Sequence, residues 1–185
     1  MFTTFKVVRT SPPAGGGSTS VNPARRAPRA RRWSAFLAGA MLALAACNDS
    51  GSVTGNPSDP ATDTFAASLG VNLAAMTRKS ANLYVQDLTI GGGAEAITGR
   101  ALGMTYTGWL ANGQQFDSNV GGANFQFTLG AGQVIAGWDQ GIVGMRVGGR
   151  RRIVMGSALG YGSRGQGEIP GNATLVFIVE LKTLQ

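Results

Sequence analysis

The chain has 185 residues, of which 43% are hydrophobic, and its formal net charge is +7. This length suits one compact domain with tails, and the hydrophobic content is sufficient for a core. The sequence contains no histidine and a single cysteine, Cys47. These counts exclude Ser-His-Asp and Cys-His catalysis, His-based and Cys-cluster metal sites, and an intrachain disulfide. We therefore expect a function that uses no metal and no other cofactor.

The positive charge belongs to the N-terminal part of the chain. Residues 1–46 hold seven basic residues and no acidic residue, whereas residues 47–185 hold nine of each sign. The larger part of the chain is therefore neutral overall. It gives no electrostatic reason to expect a nucleic-acid partner, and we expect none.

Residues 1–46 are predicted to be an N-terminal extension followed by a signal peptide. A basic cluster at 25–32 precedes an uncharged apolar run at 33–46, which is shorter than the ~20 residues of a membrane-spanning helix. Leu44-Ala-Ala-Cys47 resembles the bacterial lipobox, whose cysteine is diacylated and becomes the mature N-terminus. The alternative is an ordinary signal peptide cleaved nearby. Because the stretch before the cluster is long, we also hypothesise a translation start near Val21.

Lipidation of Cys47 would hold the exported protein at the cell envelope, facing the periplasm in a Gram-negative cell. Residues 47–79 are then predicted to be a flexible tether and a lead-in segment. The stretch from 48 to about 63 is polar and rich in Gly, Pro and Ser. Residues 64–77 place apolar side chains at helical spacing, interrupted by Gly70. This pattern fits either a short helix packed on the domain or a partly ordered lead-in.

Residues 80–185 are predicted to form a β-rich domain. Strands are predicted at 83–90, 101–110, 114–118, 125–129, 150–156 and 173–181, the last buried on both faces. One helix of about two turns is predicted to begin at Trp138 and to be ended by Gly148 and Gly149. Arg150–Arg152 is expected to be a solvated strand start with alternate side chains extending outward. This order predicts an α+β fold with an antiparallel sheet wrapped around one helix.

Five motifs follow one another in this domain. They are Tyr106-Thr-Gly, Phe116-Asp117-Ser, Val134-Ile-Ala-Gly-Trp138, Leu159-Gly-Tyr161-Gly and Ile169-Pro-Gly-Asn-Ala-Thr-Leu-Val-Phe177. In this order and near this spacing, residues 80–185 resemble the FKBP-type peptidyl-prolyl cis-trans isomerases. The resemblance implies an antiparallel half-barrel sheet around one short helix, and a pocket for the proline ring of an Xaa-Pro peptide. It also implies that residues 64–82 are similar to the extension of bacterial lipoprotein members.

The resemblance implies which side chains would enclose the proline ring. Trp138 would form the floor of the pocket, and Tyr106, Phe125 and Phe177 would form its walls. Val134 would line one side. Taken one at a time, these residues fit a plain core role equally well, and only their joint occurrence in family order favours a pocket.

The resemblance also implies which groups would act on the rotating amide. Phe116 and Asp117 would lie beside it, and Tyr161 would offer its hydroxyl to the substrate backbone. Ile135 would line the side next to Val134 and hold a substrate carbonyl with its backbone N–H, and Ile169 would close the rim.

The segment that follows Asp117 departs from the family pattern. It is one residue shorter than in the eukaryotic single-domain members, and it has no arginine where many members pair one with the aspartate. We therefore expect Asp117 to be less tightly held. Taken alone, this aspartate fits a turn-capping role equally well.

The leading hypothesis is an exported, lipid-anchored prolyl isomerase that assists folding of envelope proteins. Its expected partners are proline-containing polypeptides, the membrane through the lipid on Cys47, and macrolide ligands of the FKBP type. The alternative is a non-catalytic FKBP-like peptide-binding or chaperone module tethered to the membrane. A third hypothesis is a structural surface lipoprotein.

Overall fold

The structure is a computed structural model, and it describes residues 58–185. The predicted signal peptide, the basic cluster and Cys47 lie outside the described residues. Within residues 58–185, no helix is long and apolar enough to cross a membrane.

Seven antiparallel strands and one short helix form the domain, as the sequence predicted for its α+β class. The strands are β1 (Thr77–Ser80), β2 (Leu83–Thr89), β3 (Ala101–Leu110), β4 (Gln115–Ser118), β5 (Phe125–Thr128), β6 (Arg150–Met155) and β7 (Leu175–Leu184). They form one sheet in the order β1-β2-β6-β7-β3-β4, and β5 pairs with the other end of β3. The helix, α1, is Ala136–Gly141 and lies against β2 and β6.

The sheet has an inner face that packs around α1 and an outer face that points away from it. Strand β7 is central and serves both faces: Phe177 and Val179 belong to the main core, whereas Val176 belongs to a smaller cluster on the outer face. All three are buried. The near-continuous apolar run therefore has the role that the sequence predicted for it.

The sequence did not predict β1, and it placed the end of α1 too late. The side chains of β1, Thr-Arg-Lys-Ser, are all exposed, so this edge strand has no apolar alternation to reveal it. Helix α1 ends at Gly141, before the predicted glycine pair at 148–149. After Ile142 the chain turns at Gly144, whose φ of +84° is a left-handed conformation that favours glycine.

Residues 58–76 form an ordered extension on the outer face of the sheet. They contain three 3₁₀ turns, Pro60–Thr62, Ala67–Leu69 and Leu73–Ala75, and not the short α-helix that was one of the two alternatives. Leu69 and Met76 are buried in the outer cluster. Gly70 ends the second turn with φ +58°. Packing on the domain therefore begins well before residue 80, where the sequence placed the domain boundary.

The arginine run is not simply solvated, as the sequence suggested. Arg151 is 5% exposed, and its guanidinium donates to both carboxylate oxygens of Asp87, at 2.6 and 3.0 Å. It also donates to the backbone carbonyls of Gly141 and Val143, at 2.8 and 3.1 Å. Since side chains alternate along β6, Arg151 points to the inner face, where the end of α1 supplies these acceptors.

Candidate active site

The indole of Trp138 is the centre of an aromatic cluster on the inner face. Trp138 is completely buried. Its ring centroid lies 5.1 Å from Tyr106, 5.4 Å from Phe177 and 6.1 Å from Phe125, with each pair of planes 81–82° apart. These are edge-to-face contacts, the geometry that aromatic quadrupoles prefer. We call Trp138, Tyr106, Phe125, Phe177 and Phe116 the aromatic cup.

Two glycines allow the cup to close. A Cβ on Gly108 would lie 2.7 Å from atoms of both the Phe116 and Phe177 rings, which pack edge to face at 5.6 Å. A Cβ on Gly137 would lie 2.3 Å from the sulfur of Met155, so this glycine lets α1 seat against β6. Both glycines belong to motifs that identified the site, but the sequence did not reveal these close approaches.

Asp117 and Tyr106 form a hydrogen-bonded pair in the wall of the cup. The two residues lie on neighbouring strands, and the Tyr106 hydroxyl donates to Asp117 Oδ2 at 2.6 Å. Asp117 is 8% exposed. Burial raises the pKa of this carboxyl, and hydrogen bonds from the Tyr106 hydroxyl and the Ser118 backbone N–H lower it in part. The short, charge-assisted bond therefore holds a desolvated carboxyl at the edge of an aromatic surface.

The two tyrosine hydroxyls of the site are held in their protonated form. Burial raises the pKa of Tyr106 well above its ordinary value, and the hydrogen bond and charge of Asp117 raise it further. Burial and the charge of Asp117 likewise raise the pKa of Tyr161. Both hydroxyls are consequently hydrogen-bond donors throughout the physiological pH range. The carboxyl of Asp117 thus acts electrostatically on the Tyr161 hydroxyl.

The side-chain amide of Asn119 holds the loop after β4. Asn119 Oδ1 accepts from the Tyr106 backbone N–H at 2.7 Å, and its Nδ2 donates to the carbonyls of Met104 and Ala123, both at 3.0 Å. Among the described residues, no basic side chain pairs with Asp117. The aspartate is thus held by Tyr106, and its loop is held by Asn119. The sequence did not single out Asn119.

The remaining predicted site residues lie in the same apolar core as Trp138. Val134, Ile135 and Ile169 are buried, and Tyr161 is partly buried against them. Ile135 precedes α1 and accepts from the Trp138 N–H at 2.9 Å. Among residues 58–185, none accepts a hydrogen bond from the Ile135 backbone N–H or from the Tyr161 hydroxyl.

Ile169 is positioned by a tight turn in the long loop between β6 and β7. Its backbone N–H and carbonyl exchange two hydrogen bonds of 2.9 Å with Gln166. Gly165 beside it, at φ +68°, has no room for a Cβ, which would lie 2.1 Å from the Ile169 carbonyl oxygen. Nine of the ten predicted pocket residues thus belong to the core cluster of Trp138 or pack against it, and Asp117 is bonded to one of the nine, Tyr106. Their roles in catalysis stay predictions. The sequence missed one further ring, Phe127, at 5.9 Å from Trp138.

A half-wrapped antiparallel sheet with an aromatic cup over a short central helix defines a known class of peptide-acting protein. The family model for FKBP-type peptidyl-prolyl cis-trans isomerase matches residues 92–182. An FK506-binding protein of Neisseria meningitidis serogroup A is 49% identical over 102 residues, which are 54% of this chain and 94% of that protein. The chain belongs to the FKBP-type peptidyl-prolyl cis-trans isomerase family.

Other relatives are longer than the shared domain. FK506-binding protein 4 of Rhizopus delemar is 46% identical over 111 residues, which are 60% of this chain and 29% of that protein. The chain thus spans less than a third of the length of this fungal relative. Among solved structures, AtFKBP13 matches with a TM-score of 0.52 and 35% identity, over 56% of this chain and 93% of that one. FkpA from Escherichia coli matches with a TM-score of 0.55 and 32% identity, over 60% and 52% respectively.

Proposed function

We propose that this protein catalyses cis-trans isomerisation of Xaa-Pro bonds in exported polypeptides and thereby assists their folding. The observation that carries the proposal is the buried Tyr106–Asp117 pair in the wall of the aromatic cup, with its 2.6 Å bond. This pair sets a fixed dipole beside the rings of the aromatic cup. Family membership indicates prolyl isomerisation as the reaction class, and the aromatic rings and hydrogen-bonding groups of the site suit that reaction.

The reaction needs no nucleophile, because its barrier comes from amide resonance. Rotation about a peptide bond faces ~18–20 kcal/mol, and uncatalysed Xaa-Pro exchange takes roughly tens of seconds or longer. The twisted transition state has lost this resonance and is less dipolar than the planar amide. Transfer to an apolar cup therefore penalises the planar state more. Each ~1.4 kcal/mol of such differential stabilisation increases the rate about tenfold.

The aromatic rings and the hydrogen-bond donors of the site have different roles in this proposal. The proline ring lies on Trp138 between Tyr106 and Phe177. The Ile135 backbone N–H and the Tyr161 hydroxyl donate to the substrate backbone on either side of the rotating bond and hold it in a turned shape. Asp117 faces the displaced carbonyl and keeps the Tyr106 ring in position.

A prolyl-isomerisation assay on the full chain tests the proposal, with several residues before proline. We expect acceleration over the uncatalysed rate. Tyr161→Phe should lower kcat/KM about fivefold to tenfold, since it deletes one hydrogen bond. Tyr84→Phe is the matched control: Tyr84 lies in the outer cluster, and its variant should keep the parent rate. Asp117→Ala should lower kcat/KM at least as far as Tyr161→Phe.

The same assay separates catalysis from binding alone. If proline peptides bind the parent chain but the rate of isomerisation stays at the uncatalysed value, the protein is a peptide-binding or chaperone module instead. The relatives' names also suggest a ligand for the cup. We propose that FK506 competes with peptide here, so that adding FK506 should abolish the acceleration. An unchanged rate at saturating FK506 would remove the macrolide from the proposal.

We also propose that Cys47 carries the lipid that anchors the protein at the cell envelope. The support is sequence alone: the only cysteine stands at the end of a basic-apolar run, at the lipobox position. Cys47→Ser should release the protein from the membrane fraction and abolish incorporation of a labelled fatty acid. Ser50→Ala, close to it in the tether, should do neither. Retention of Cys47→Ser in the membrane fraction would refute the anchor.

A further inference from the structure

The outer-face extension, residues 58–76, contacts the long β6–β7 loop where the loop begins and where it ends. That loop carries Tyr161 and Ile169, two of the predicted site residues. Ser58 lies against Ser157, where the loop begins, and against Thr174, where it ends. These contacts span 99 and 116 residues of sequence, so they are tertiary contacts and not part of a local turn.

Three hydrogen bonds make up this contact, which we call the serine clasp (Ser58, Ser157 and Thr174). The Ser157 backbone N–H donates to Ser58 Oγ at 3.1 Å, and the Ser58 N–H donates to Ser157 Oγ at 3.2 Å. The Thr174 hydroxyl donates to Ser58 Oγ at 2.9 Å. Ser157 and Thr174 are 1% and 4% exposed. Without Ser58, two buried donors would lose their acceptor.

The clasp is connected to Tyr161 through the backbone of Ser157. The Ser157 carbonyl accepts from the N–H groups of Gly160 and Gly162, at 3.0 and 2.8 Å. These are the two residues that flank Tyr161. The Gly162 carbonyl in turn accepts from the Asn172 N–H at 2.9 Å, which joins the two halves of the loop. Ser157 therefore links Ser58 to the two peptide groups that flank Tyr161.

Close packing reinforces these bonds. A Cβ on Gly156 would lie 2.2 Å from the Ser58 carbonyl oxygen and 3.2 Å from Pro60 Cδ. Pro60 is buried. The extension is thus pressed onto the strand end from which the loop departs, and this fit depends on the missing side chain of Gly156.

We propose that Ser58 is a positioning residue for the peptide site. It fixes the loop of Tyr161 and Ile169, although it lies outside the part of the chain that contains the five motifs. This inference rests on the proposed peptide-binding function. Its consequence is that the extension is part of the active unit. Because Cys47 precedes Ser58 by eleven residues, the clasp also joins the site directly to the tether.

The test compares Ser58→Ala with Ser68→Ala in the full chain. Ser68 is an exposed serine of the same extension, and none of the described residues hydrogen-bonds to its hydroxyl. Amide hydrogen exchange at Gly160 and Gly162 should become about fivefold faster in Ser58→Ala, as expected for the loss of one net hydrogen bond. The KM for a proline peptide should rise by a similar factor, with kcat within about twofold. Ser68→Ala should match the parent chain.

Gly156→Ala tests the same contact from the opposite side, because its methyl group must displace the Ser58 backbone. It should reproduce both effects of Ser58→Ala. Unchanged exchange at Gly160 and Gly162 in both variants would overturn the proposal. Faster exchange with an unchanged KM would overturn it too, since the clasp would then be structural only.

Exchange and equilibrium peptide affinity are measured without turnover. A parent chain that fails to isomerise would therefore refute the proposed activity, while the clasp would stand or fall on these two measurements. If the parent chain does not isomerise, the dissociation constant of the proline peptide is measured in place of KM. It should rise about fivefold in Ser58→Ala relative to the parent chain.

Discussion

The two faces of the sheet are built from the same strands but by different means. The inner face is filled by rings that converge from β3, β5, β7 and α1 onto Trp138, which is completely buried. The outer face is only partly covered, by an extension whose cluster includes Leu69, Met76 and the partly buried Trp109. The predicted site residues and the N-terminal segment of the described chain therefore lie on opposite faces of one sheet.

Truncating the tryptophan on each face should give the largest contrast. Trp138→Ala removes a completely buried ring with four aromatic neighbours, so it should lower the free energy of unfolding by about 3–5 kcal/mol. Trp109→Ala, at the edge of the outer cluster, should cost about 1 kcal/mol, close to the average substitution. Urea unfolding followed by far-ultraviolet circular dichroism measures both. Equal losses would show that the outer face is as tightly built as the inner one.

Within strand β6, Arg151 lies on the inner face and Arg150 on the outer face. Arg151→Met should lower the free energy of unfolding by about 2–3 kcal/mol, because it leaves Asp87 and two carbonyls at the end of α1 without their donor. The value stays below that of a fully buried pair, since the Asp87 side chain is 41% exposed and solvent screens its charge.

Arg150→Met is the matched control for Arg151→Met, since Arg150 is the exposed neighbour on the outer face. It should stay within about 0.5 kcal/mol of the parent protein in the same unfolding measurement. If Arg150→Met were as destabilising as Arg151→Met, the cost would belong to the strand's charge and not to the buried contact with α1.

The inner face could be predicted from the sequence because its signals are local. The bounds of β3 were predicted correctly, and the motifs located two of the four rings around Trp138, Tyr106 and Phe177. The contacts between these side chains could not be predicted. The Tyr106–Asp117 bond and the contacts of Asn119 with Tyr106 and Met104 join residues 11–15 positions apart. The Asn112-Gly113 hairpin signal indicates that β3 and β4 are neighbours, but it does not show which of their side chains bond to each other.

The outer face could not be predicted, because its determinants are weak locally and distant in sequence. Strand β1 has no buried side chain, and the 3₁₀ turns have no period long enough to be read as a helix. Arg151 was misjudged because a buried cation needs acceptors that only the end of α1 supplies. The role of Ser58 could not be predicted either, because its hydrogen-bond partners lie 99 and 116 residues away in the sequence.

The smallest effect should come from the charge of Asp117, and it depends on pH. Burial raises the pKa of this carboxyl in the folded state above its ordinary value of 3.8, so folding favours the protonated form. The native state is therefore most stable, as far as this group is concerned, below pH 3.8, and that contribution is lost as the pH rises through the folded pKa. Asp117→Asn keeps an acceptor for the Tyr106 hydroxyl and has no charge to desolvate.

The free energy of unfolding of the parent protein minus that of Asp117→Asn should consequently fall as the pH rises above 3.8, and then level off. Urea titrations at a series of pH values measure this difference. Ser68→Ala, which changes an exposed residue of the outer extension and no titratable group, should leave the pH dependence as it is in the parent protein. A difference that instead grew with rising pH would mean that the hydrogen bond from Tyr106 outweighs desolvation. The ionised Asp117 carboxylate on the inner face would then stabilise the folded state.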